Sequence, residues 1–318
     1  MVVSWLKSTN QFSILDLYCI LIRSGISQQP MKRADYFLYG LVIFGWSTSW
    51  LPLKGQIGIV DPEISILWRF ILAAAICFCI SKVLKLKLRF PIKIHLKMAL
   101  MGFFMFSTNF TLFYYASENL ASGLLAVVFS MASMVNILMV AILTRSKPNY
   151  SQLLASAIGL IGITLIFIPE LKVSDLALKS LILCVIGTFS FCSGNLVSES
   201  LQKQTIPVMS ANSWGMVYGC LVLTFYAIIL DHPFKISFDT SYLTGLLWLS
   251  IFSTVLTFGC YLTLLGRIGP GRVGYATVVF PIFALLISTL FENYIWTTSA
   301  VLGITLVIFG NLIMAKAK

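Results

Sequence analysis

Residues 153–168 of the sequence read LLASAIGLIGITLIFI, a run without a single charged side chain. A second run, residues 295–314, reads IWTTSAVLGITLVIFGNLIM, and both runs contain the tetrapeptide Gly-Ile-Thr-Leu. Apolar runs near twenty residues match the length of a helix that crosses a hydrocarbon core of roughly 30 Å. The two runs therefore predict membrane-spanning helices, and their shared tetrapeptide indicates a repeated unit.

The composition of the whole chain also indicates a membrane protein. Of the 318 residues, 58% are hydrophobic and 10% are charged, and the mean hydropathy is +0.94. Soluble domains carry about 25% charged residues, so a soluble fold of this chain would expose large apolar patches. In lipid, an α-helix satisfies its own backbone hydrogen bonds. We therefore predict an all-α integral membrane protein.

Apolar windows recur ten times along the chain, and turn-forming or charged residues separate them. Examples of such breaks are Asp61-Pro62, Lys147-Pro148-Asn149 and Gly269-Pro270-Gly271. The sequence therefore predicts ten transmembrane helices. The predicted spans are Tyr36–Leu53, Ile64–Ile80, Met98–Tyr115, Ser122–Leu143, Leu153–Ile168, Leu181–Val197, Val208–Leu230, Tyr242–Leu265, Val273–Leu290 and Ile295–Met314.

Residues 1–33 precede the first predicted span and differ from the rest of the chain. The apolar stretch Phe12–Ile22 has only eleven residues and contains Asp16, so it is too short to span a membrane. Met31-Lys32-Arg33 has the pattern of a start methionine followed by two basic anchors. We interpret residues 1–33 as an N-terminal cytoplasmic segment, of which residues 1–30 are either an artefact of an upstream start or a surface segment.

Three pairs of landmarks recur in the same order in the two halves of the chain. The pairs are Pro62 and Pro207, Tyr115 and Tyr261, and Gly162 and Gly303, with offsets of 145, 146 and 141 residues. They predict two five-helix repeats, residues 34–170 and 171–318. Because five is odd, the second repeat is inverted relative to the first, and inverted repeats enclose a central site near the middle of the bilayer.

The distribution of charge predicts the orientation of the chain. The formal net charge is +11, with 22 Lys and Arg residues. Seventeen of these lie in the N-terminal segment and in every second segment after it, six of them from Lys82 to Lys97, whereas four lie in the segments between. This is the positive-inside pattern rather than the basic stripe of a nucleic-acid-binding surface. It predicts a multi-pass protein of the inner membrane with both termini in the cytoplasm and no nucleic-acid partner.

Several short motifs resemble those of a known family. They are Gly45-Trp46-Ser47, Pro62 followed by Arg69-Phe70, Pro281 followed by Glu292, and the two Gly-Ile-Thr-Leu segments. In this order the motifs resemble the EamA-type branch of the drug/metabolite transporter superfamily over residues 36–315. The first repeat departs from the family pattern, because it lacks a proline near Ser133 in its fourth span. The resemblance implies a basket-like bundle with a central cavity, often used to export amino acids or related metabolites.

Polar and aromatic residues inside the spans are the candidates for lining such a cavity. Polar groups are costly in lipid unless they face protein or water. The predicted cavity residues are Trp46, Arg69, Asn109, Asn136, Thr254, Thr257, Tyr261 and Tyr275. For the hydroxyl and amide groups, the alternative is helix packing, with hydroxyls bonded to carbonyls of their own helix. Trp50 lies nearer the end of its span, where we expect a residue of the interfacial aromatic belt.

Two residues have particular predicted roles. Arg69 is the one basic residue within a span; it could bind a substrate carboxylate, snorkel to the interface, or pair with Asp61 or Glu63. Pro281 lies in the middle of the ninth span, where proline removes a backbone donor and bends the helix. We interpret Pro281 either as a static kink or as a hinge that moves during transport.

The sequence contains no pattern typical of an enzyme. It has no phosphate-binding loop, no Ser/His/Asp set and no pair of carboxylates inside a span. Its seven cysteines and two histidines have no metal-binding spacing. We therefore expect no enzyme activity, no cofactor and no metal. The eleven acidic residues lie outside the spans or at their ends, which disfavours a proton-coupled exporter of cations and leaves Glu118, Glu199 and Glu292 as candidates for gating.

These observations predict a transporter that exports small metabolites, such as amino acids or related compounds, by alternating access. Its expected partners are a small-molecule substrate and the lipid bilayer; no oligomeric state is predicted. One alternative is an exchanger or importer of the same superfamily with phosphorylated or nucleoside-linked cargo. A second alternative is a membrane interaction protein that transports nothing.

Overall fold

A computed structural model describes residues 32–143, 150–173 and 176–316. Every regular element in these residues is a helix, so the all-helical prediction is confirmed for them. Residues 1–31 and the predicted break at Lys147-Pro148-Asn149 lie outside the described residues. The elements are α1 Arg33–Ser47, α2 Trp50–Lys54, α3 Pro62–Val83, α4 Ile92–Phe103, π1 Phe104–Thr108, α5 Asn109–Ser117, α6 Ser122–Phe129, α7 Ala132–Leu143, α8 Tyr150–Val173, α9 Leu176–Lys203, α10 Val208–Ile229, α11 Thr240–Leu247, π2 Trp248–Phe258, α12 Gly259–Phe291 and α13 Thr298–Lys316.

Seven helical stretches among the described residues are long and apolar enough to cross a membrane, which agrees with a multi-pass protein. They are Pro62–Val83, Ile92–Ser117, Ser122–Ile142, Tyr150–Pro169, Leu176–Lys203, Val208–Ile229 and Thr240–Ile268. The helices at the first, ninth and tenth predicted spans are shorter. Helix α1 has 15 residues, and the apolar parts of the last two are Val279–Phe291 and Thr298–Ile313. The number of ten spans therefore stays a prediction.

The chain reverses its direction within α12. Contacts with α1 show this reversal. From residue 257 to residue 267 the chain runs antiparallel to α1, whereas from residue 273 to residue 280 it runs parallel to α1. The contacts are Asp35 with Arg267, Tyr39 with Val273, Gly45 with Thr257, and Ser47 with Phe280. A straight helix would separate residues 257 and 280 by roughly 35 Å, yet both contact the same end of α1. The reversal falls at the predicted break Gly269-Pro270-Gly271.

The two Gly-Ile-Thr-Leu segments pack directly against each other, where α8 crosses α13. A Cβ atom added to Gly162 would lie 2.6 Å from the carbonyl oxygen of Gly303, and one added to Gly303 would lie 2.5 Å from the carbonyl oxygen of Gly162. The contact is therefore reciprocal between equivalent residues of the two halves. Close backbone approach through small residues is a common way for helices to associate in membranes.

We expect Gly162→Ala to destabilise the protein, because the added methyl group would force α8 and α13 apart. Overpacking of this kind costs about 1–3 kcal/mol, which corresponds to a decrease in Tm of about 5 °C. Thermal unfolding of the purified protein in detergent measures the change. Gly40→Ala is the matched control, because a Cβ at Gly40 would meet nothing within 4 Å. Equal Tm values for the two variants would contradict the close crossing.

Each half contains a π-helical segment in its third predicted span. The segments are π1, residues 104–108, and π2, residues 248–258. Tyr115 and Tyr261 are 146 residues apart. The residues 146 positions after π1 are 250–254, and they lie inside π2. Segments of π-helix are rare and often occur at functional sites. The internal repeat is thus visible in the backbone as well as in the sequence.

Candidate substrate-binding cavity

A small cavity, of about 40 Å³ measured for the centres of water-sized spheres, lies between elements of both halves. Seven of its eleven lining residues are aromatic or aliphatic, and four carry polar groups. The lining residues are Trp46, Ser49, Trp50, Leu53, Arg69, Asn109, Phe110, Phe113, Phe129, Ser253 and Phe258. A mostly apolar wall with a few polar groups is the usual composition of a small-molecule site. The predicted residues Trp46, Arg69 and Asn109 therefore lie together in one wall.

Helix α3 carries the charged group of this cavity. The helix begins at Pro62, whose ring suits the first helical position, and Glu63 places a negative charge at its positive end. Arg69 follows two turns later and is 1% exposed. Its guanidinium is therefore held inside the protein and does not snorkel to the interface.

Arg69 donates hydrogen bonds to two hydroxyl groups of the second half and also interacts with the hydroxyl of Tyr114 in the first half. Its Nε donates to Thr254 Oγ1 (2.8 Å), and its Nη2 lies 3.3 Å from Ser253 Oγ. The guanidinium also lies over the ring of Phe110, 4.5 Å from the ring centre. No described carboxylate forms a salt bridge with Arg69, and the expected partner Glu63 pairs instead with His232 (3.0 Å). The positive charge in the cavity wall therefore has no negative partner among the described residues.

The local backbone of π2 explains how a threonine becomes an acceptor for Arg69. Thr254 Oγ1 donates to the carbonyl of Leu249 (2.8 Å), five residues earlier, and its lone pairs then face the guanidinium. Thr257 makes the same bond to the carbonyl of Phe252 (2.9 Å). Hydroxyls bonded to their own helix are what the packing interpretation predicts. Thr254 has both roles, because it is bonded to its own helix and also orients Arg69.

Asn109 begins α5, directly after π1. Its side chain is 3% exposed and lines the cavity, and its Oδ1 has no hydrogen-bond partner among the described residues. A buried amide oxygen without a partner costs about 1–3 kcal/mol. Such an acceptor in a cavity wall is available to a donor on a bound molecule.

Trp46 is the centre of a cluster of aromatic rings from both halves. Its ring centre lies between 4.7 and 6.1 Å from those of five other rings. These rings belong to Phe129, Phe191, Phe258, Tyr261 and Phe280. Trp46 also lines the cavity. The cluster therefore contributes Trp46, Phe129 and Phe258 to the cavity wall and joins the halves through edge-on and tilted rings.

The expectation that Trp50 is an interfacial belt residue is wrong. Trp50 is 8% exposed, its indole nitrogen has no hydrogen-bond partner in the part of the chain that the structure describes, and its ring lines the cavity. The short helix α2 causes the difference. The chain turns after Ser47 and restarts at Trp50, so this side chain points inward although it lies near the end of the predicted span.

Of the other predicted cavity residues, Thr254, Thr257, Tyr261 and Asn136 are not among those that line this cavity. Thr257 packs against Gly45, and the hydroxyl of Tyr261 accepts a hydrogen bond from Asn195 Nδ2 (3.1 Å). Asn136 is buried in α7, and its Oδ1 has no partner among the described residues. Pro281 is buried within α12. The side chain of Tyr275 lies outside the described ones.

Sequence reasoning missed most of the phenylalanines of the cavity and its aromatic cluster. One of them carried a usable signal, because Phe191 lies 145 residues after Trp46, the same offset that relates Pro62 and Pro207. The remaining phenylalanines had no such signal. Phenylalanine is the commonest aromatic residue in this chain, with 24 copies, and hydropathy alone does not distinguish a cavity wall from a lipid-facing surface.

Polar contacts hold α2 and the start of α6 in place. Lys54 Nζ donates to the carbonyls of Ser117 and Leu120 at the end of α5. The carboxylate of Glu292 accepts from the backbone nitrogen (3.0 Å) and the hydroxyl (2.6 Å) of Ser122, which begins α6. Burial lowers the pKa of Lys54, whereas the carboxylates of Glu292 and Glu118 raise it. Residues of both halves thus hold the turn between α5 and α6.

The fold and the cavity define a class of protein, a multi-pass helical membrane protein with an internal cavity between its two halves. Comparison with known families identifies it further. The chain matches the model of the EamA-like transporter family twice, over residues 34–168 and 178–316. The chain therefore belongs to the EamA-like transporter family, and the resemblance predicted from its motifs is confirmed. It is a membrane transporter of small molecules rather than an enzyme.

Individual relatives are distant but match over most of their length. The chain is 21% identical over 287 residues to Protein PagO of Salmonella typhimurium, which covers 90% of this chain and 94% of PagO. It is 23% identical over 289 residues to the "Probable amino-acid metabolite efflux pump" of Escherichia coli, with coverages of 88% and 94%. One crystal structure, 13% identical, shares the fold with a TM-score of 0.65 over 89% of this chain and 96% of that chain.

Proposed function

We propose that this transporter exports a small amphipathic carboxylate, such as an amino acid or a related metabolite, from the cytoplasm. The observation that carries the proposal is the buried cation Arg69, which has no described carboxylate partner and faces a largely apolar cavity. A guanidinium presents two parallel donors that match a carboxylate. The names of the efflux pumps among its relatives support the direction and the substrate class.

The proposed mechanism is alternating access between two inverted five-helix halves that together form ten spans. The reciprocal contact of Gly162 with Gly303 and the π segments at equivalent positions support this symmetry. Inverted repeats allow one site to open to either side when the halves rock against each other. The lining residues come from both halves, so such a motion would open and close the cavity around Arg69.

Transport by purified protein in lipid vesicles tests the proposal. Vesicles loaded with a radiolabelled carboxylate should release it faster than protein-free vesicles, with saturation at high concentration. Absence of saturable flux for every amino acid and monocarboxylate tried would contradict the proposed function. The alternative of a membrane interaction protein is not retained, because the chain belongs to a transporter family.

Phosphorylated or nucleoside-linked cargo is the second candidate within the same superfamily. A phosphate group carries up to two negative charges and usually meets several cations. Among the described lining residues, Arg69 is the one cation. We therefore rank this cargo lower. Counterflow with labelled nucleotides and labelled carboxylates compares the two candidates directly.

The proposed orientation places both termini and the segment from Lys82 to Lys97 in the cytoplasm of a cell with an inner membrane. The asymmetry of basic residues supports it. Reporter fusions after Lys318 and near Leu88 should give a cytoplasmic signal, and a fusion near Ser174 should give an external signal. A cytoplasmic signal at Ser174 would contradict the orientation.

We propose that Pro281 is a hinge in the part of α12 that follows its reversal of direction. The residue before it, Phe280, contacts the ring of Trp46, and its carbonyl accepts a hydrogen bond from Ser47 (3.1 Å). A bend at Pro281 would therefore move Phe280 relative to Trp46 in the cavity wall. We expect Pro281→Ala to lower the transport rate several-fold, as expected when hinge residues change, while substrate affinity and folded yield stay close to parental. A parental transport rate would contradict the hinge, and loss of folded protein would indicate a structural kink.

A further inference from the structure

The charges of the cavity narrow the class of substrate, and this inference rests on the proposed function. We infer that the cavity selects organic monoanions that combine one carboxylate, one neutral hydrogen-bond donor and an apolar body. Examples of this chemistry are 2-hydroxy acids with an aromatic or branched side chain and N-acylated amino acids. Free amino acids, which carry an additional ammonium charge, are the poorer substrates.

The net charge of the occupied cavity favours a monoanion. Among the described lining residues, Arg69 is charged and the other ten are neutral. A monoanion bound to Arg69 makes a neutral complex, a zwitterion leaves one positive charge, and an organic cation leaves two. An unpaired charge inside a protein surrounded by lipid is strongly unfavourable. The site therefore compensates the carboxylate of a ligand and offers nothing of opposite charge to its ammonium group.

The aromatic rings of the wall do not reverse this preference. An ammonium group over a tryptophan or phenylalanine ring gains less than an unpaired buried charge costs. In addition, the face of Phe110 is already occupied by the guanidinium of Arg69. Trp46 and Trp50 line the cavity with the parts of their rings that other rings do not cover, and apolar contact is what these surfaces favour most.

Asn109 supplies the second polar contact. Its unpartnered Oδ1 is an acceptor, so it can receive a hydrogen bond from a hydroxyl or an amide N–H of the ligand. The nearby hydroxyl of Ser49 donates to the carbonyl of Trp46 (2.9 Å) and adds no negative charge. A neutral donor beside a carboxylate, as in a 2-hydroxy acid, thus satisfies Asn109 and Arg69 together.

The test uses ligands that share one phenyl skeleton and differ in charge. The probes are 3-phenyllactate, L-phenylalanine and phenethylamine, each radiolabelled and measured by counterflow in proteoliposomes. We expect kcat/KM for 3-phenyllactate to exceed that for L-phenylalanine at least about tenfold, because the unpaired ammonium costs more than the 1.4 kcal/mol that a tenfold ratio represents. Phenethylamine should not be transported.

The outcomes separate this inference from the proposed function. Equal or better transport of L-phenylalanine than of 3-phenyllactate would overturn the inference and leave the proposed carboxylate transporter in place. Absence of counterflow for both carboxylates in the folded protein would overturn both. Asn109→Asp provides an independent measurement, because a carboxylate at this position should reduce the ratio of 3-phenyllactate to L-phenylalanine transport at least about tenfold. An unchanged ratio would overturn the inference. If Asn109→Asp does not fold, the inference is decided by the transport of the three probes by the parental protein.

Discussion

Replacement of Arg69 by alanine is expected to lower kcat/KM for a transported carboxylate by about 100-fold or more. The variant loses two charge-assisted hydrogen bonds to the substrate, each worth about 1.5–3 kcal/mol, and each 1.4 kcal/mol corresponds to a factor of ten. Arg69→Lys should recover only part of the activity, because lysine keeps the charge but not the planar pair of donors. Uptake into proteoliposomes at several substrate concentrations measures both variants.

Arg89→Ala is the matched control for Arg69, because it removes an exposed arginine from the segment between α3 and α4. Its kcat/KM should stay close to parental. Gel filtration and thermal unfolding show whether the Arg69 variants fold. A folded Arg69→Ala protein with parental kcat/KM would contradict the carboxylate site. If Arg69→Ala does not fold, the lysine variant decides, since it preserves the buried charge.

Trp46→Ala is expected to cause the largest loss of stability of any single substitution in the cavity wall. The indole contacts five other rings from both halves, and its removal leaves a hole that neighbouring side chains cannot fill without moving. Truncation of a buried tryptophan costs about 3–5 kcal/mol. A decrease in Tm on the order of 10 °C is therefore expected for the purified protein.

Trp296→Ala is the control for this measurement, because Trp296 is 38% exposed and lies outside the aromatic cluster. Its Tm should change by less than about 2 °C, as is usual for exposed positions. Trp46→Phe should fall between the two, since it keeps a ring but loses volume. The role of Trp46 as the centre of the cluster would be wrong if Trp46→Ala and Trp296→Ala unfolded at the same temperature.

The class of fold was predictable because it depends on local properties of the chain. Apolar length, the spacing of breaks and the distribution of Lys and Arg are all read within short windows, and the lipid environment accepts only a few structures for such windows. The repeat was predictable for a related reason. Gly162 and Gly303 recur with their neighbours, and in the structure these same residues meet.

The predicted site was partly assembled and partly dispersed by the fold. Trp46, Arg69 and Asn109 line one cavity, but Thr257 packs against Gly45 and the hydroxyl of Tyr261 pairs with Asn195. The sequence indicated Thr254 and Thr257 as candidate hydroxyls of this span. It did not indicate which of them faces Arg69, because a π segment shifts the register of the side chains relative to an ordinary helix.

The sequence by itself determined that this is a multi-pass helical transporter of the EamA-like family with two repeated units. Composition, periodicity and motif order carry that information, and none of them requires knowledge of distant contacts. Only the tertiary structure decided which neighbours Arg69 has. Thr254, 185 residues away, binds the guanidinium, whereas Glu63, six residues away, binds His232. The physical reason is that the surroundings of a buried charge depend on which helices pack against it, and that packing follows from the shape and volume of all the side chains at the crossing.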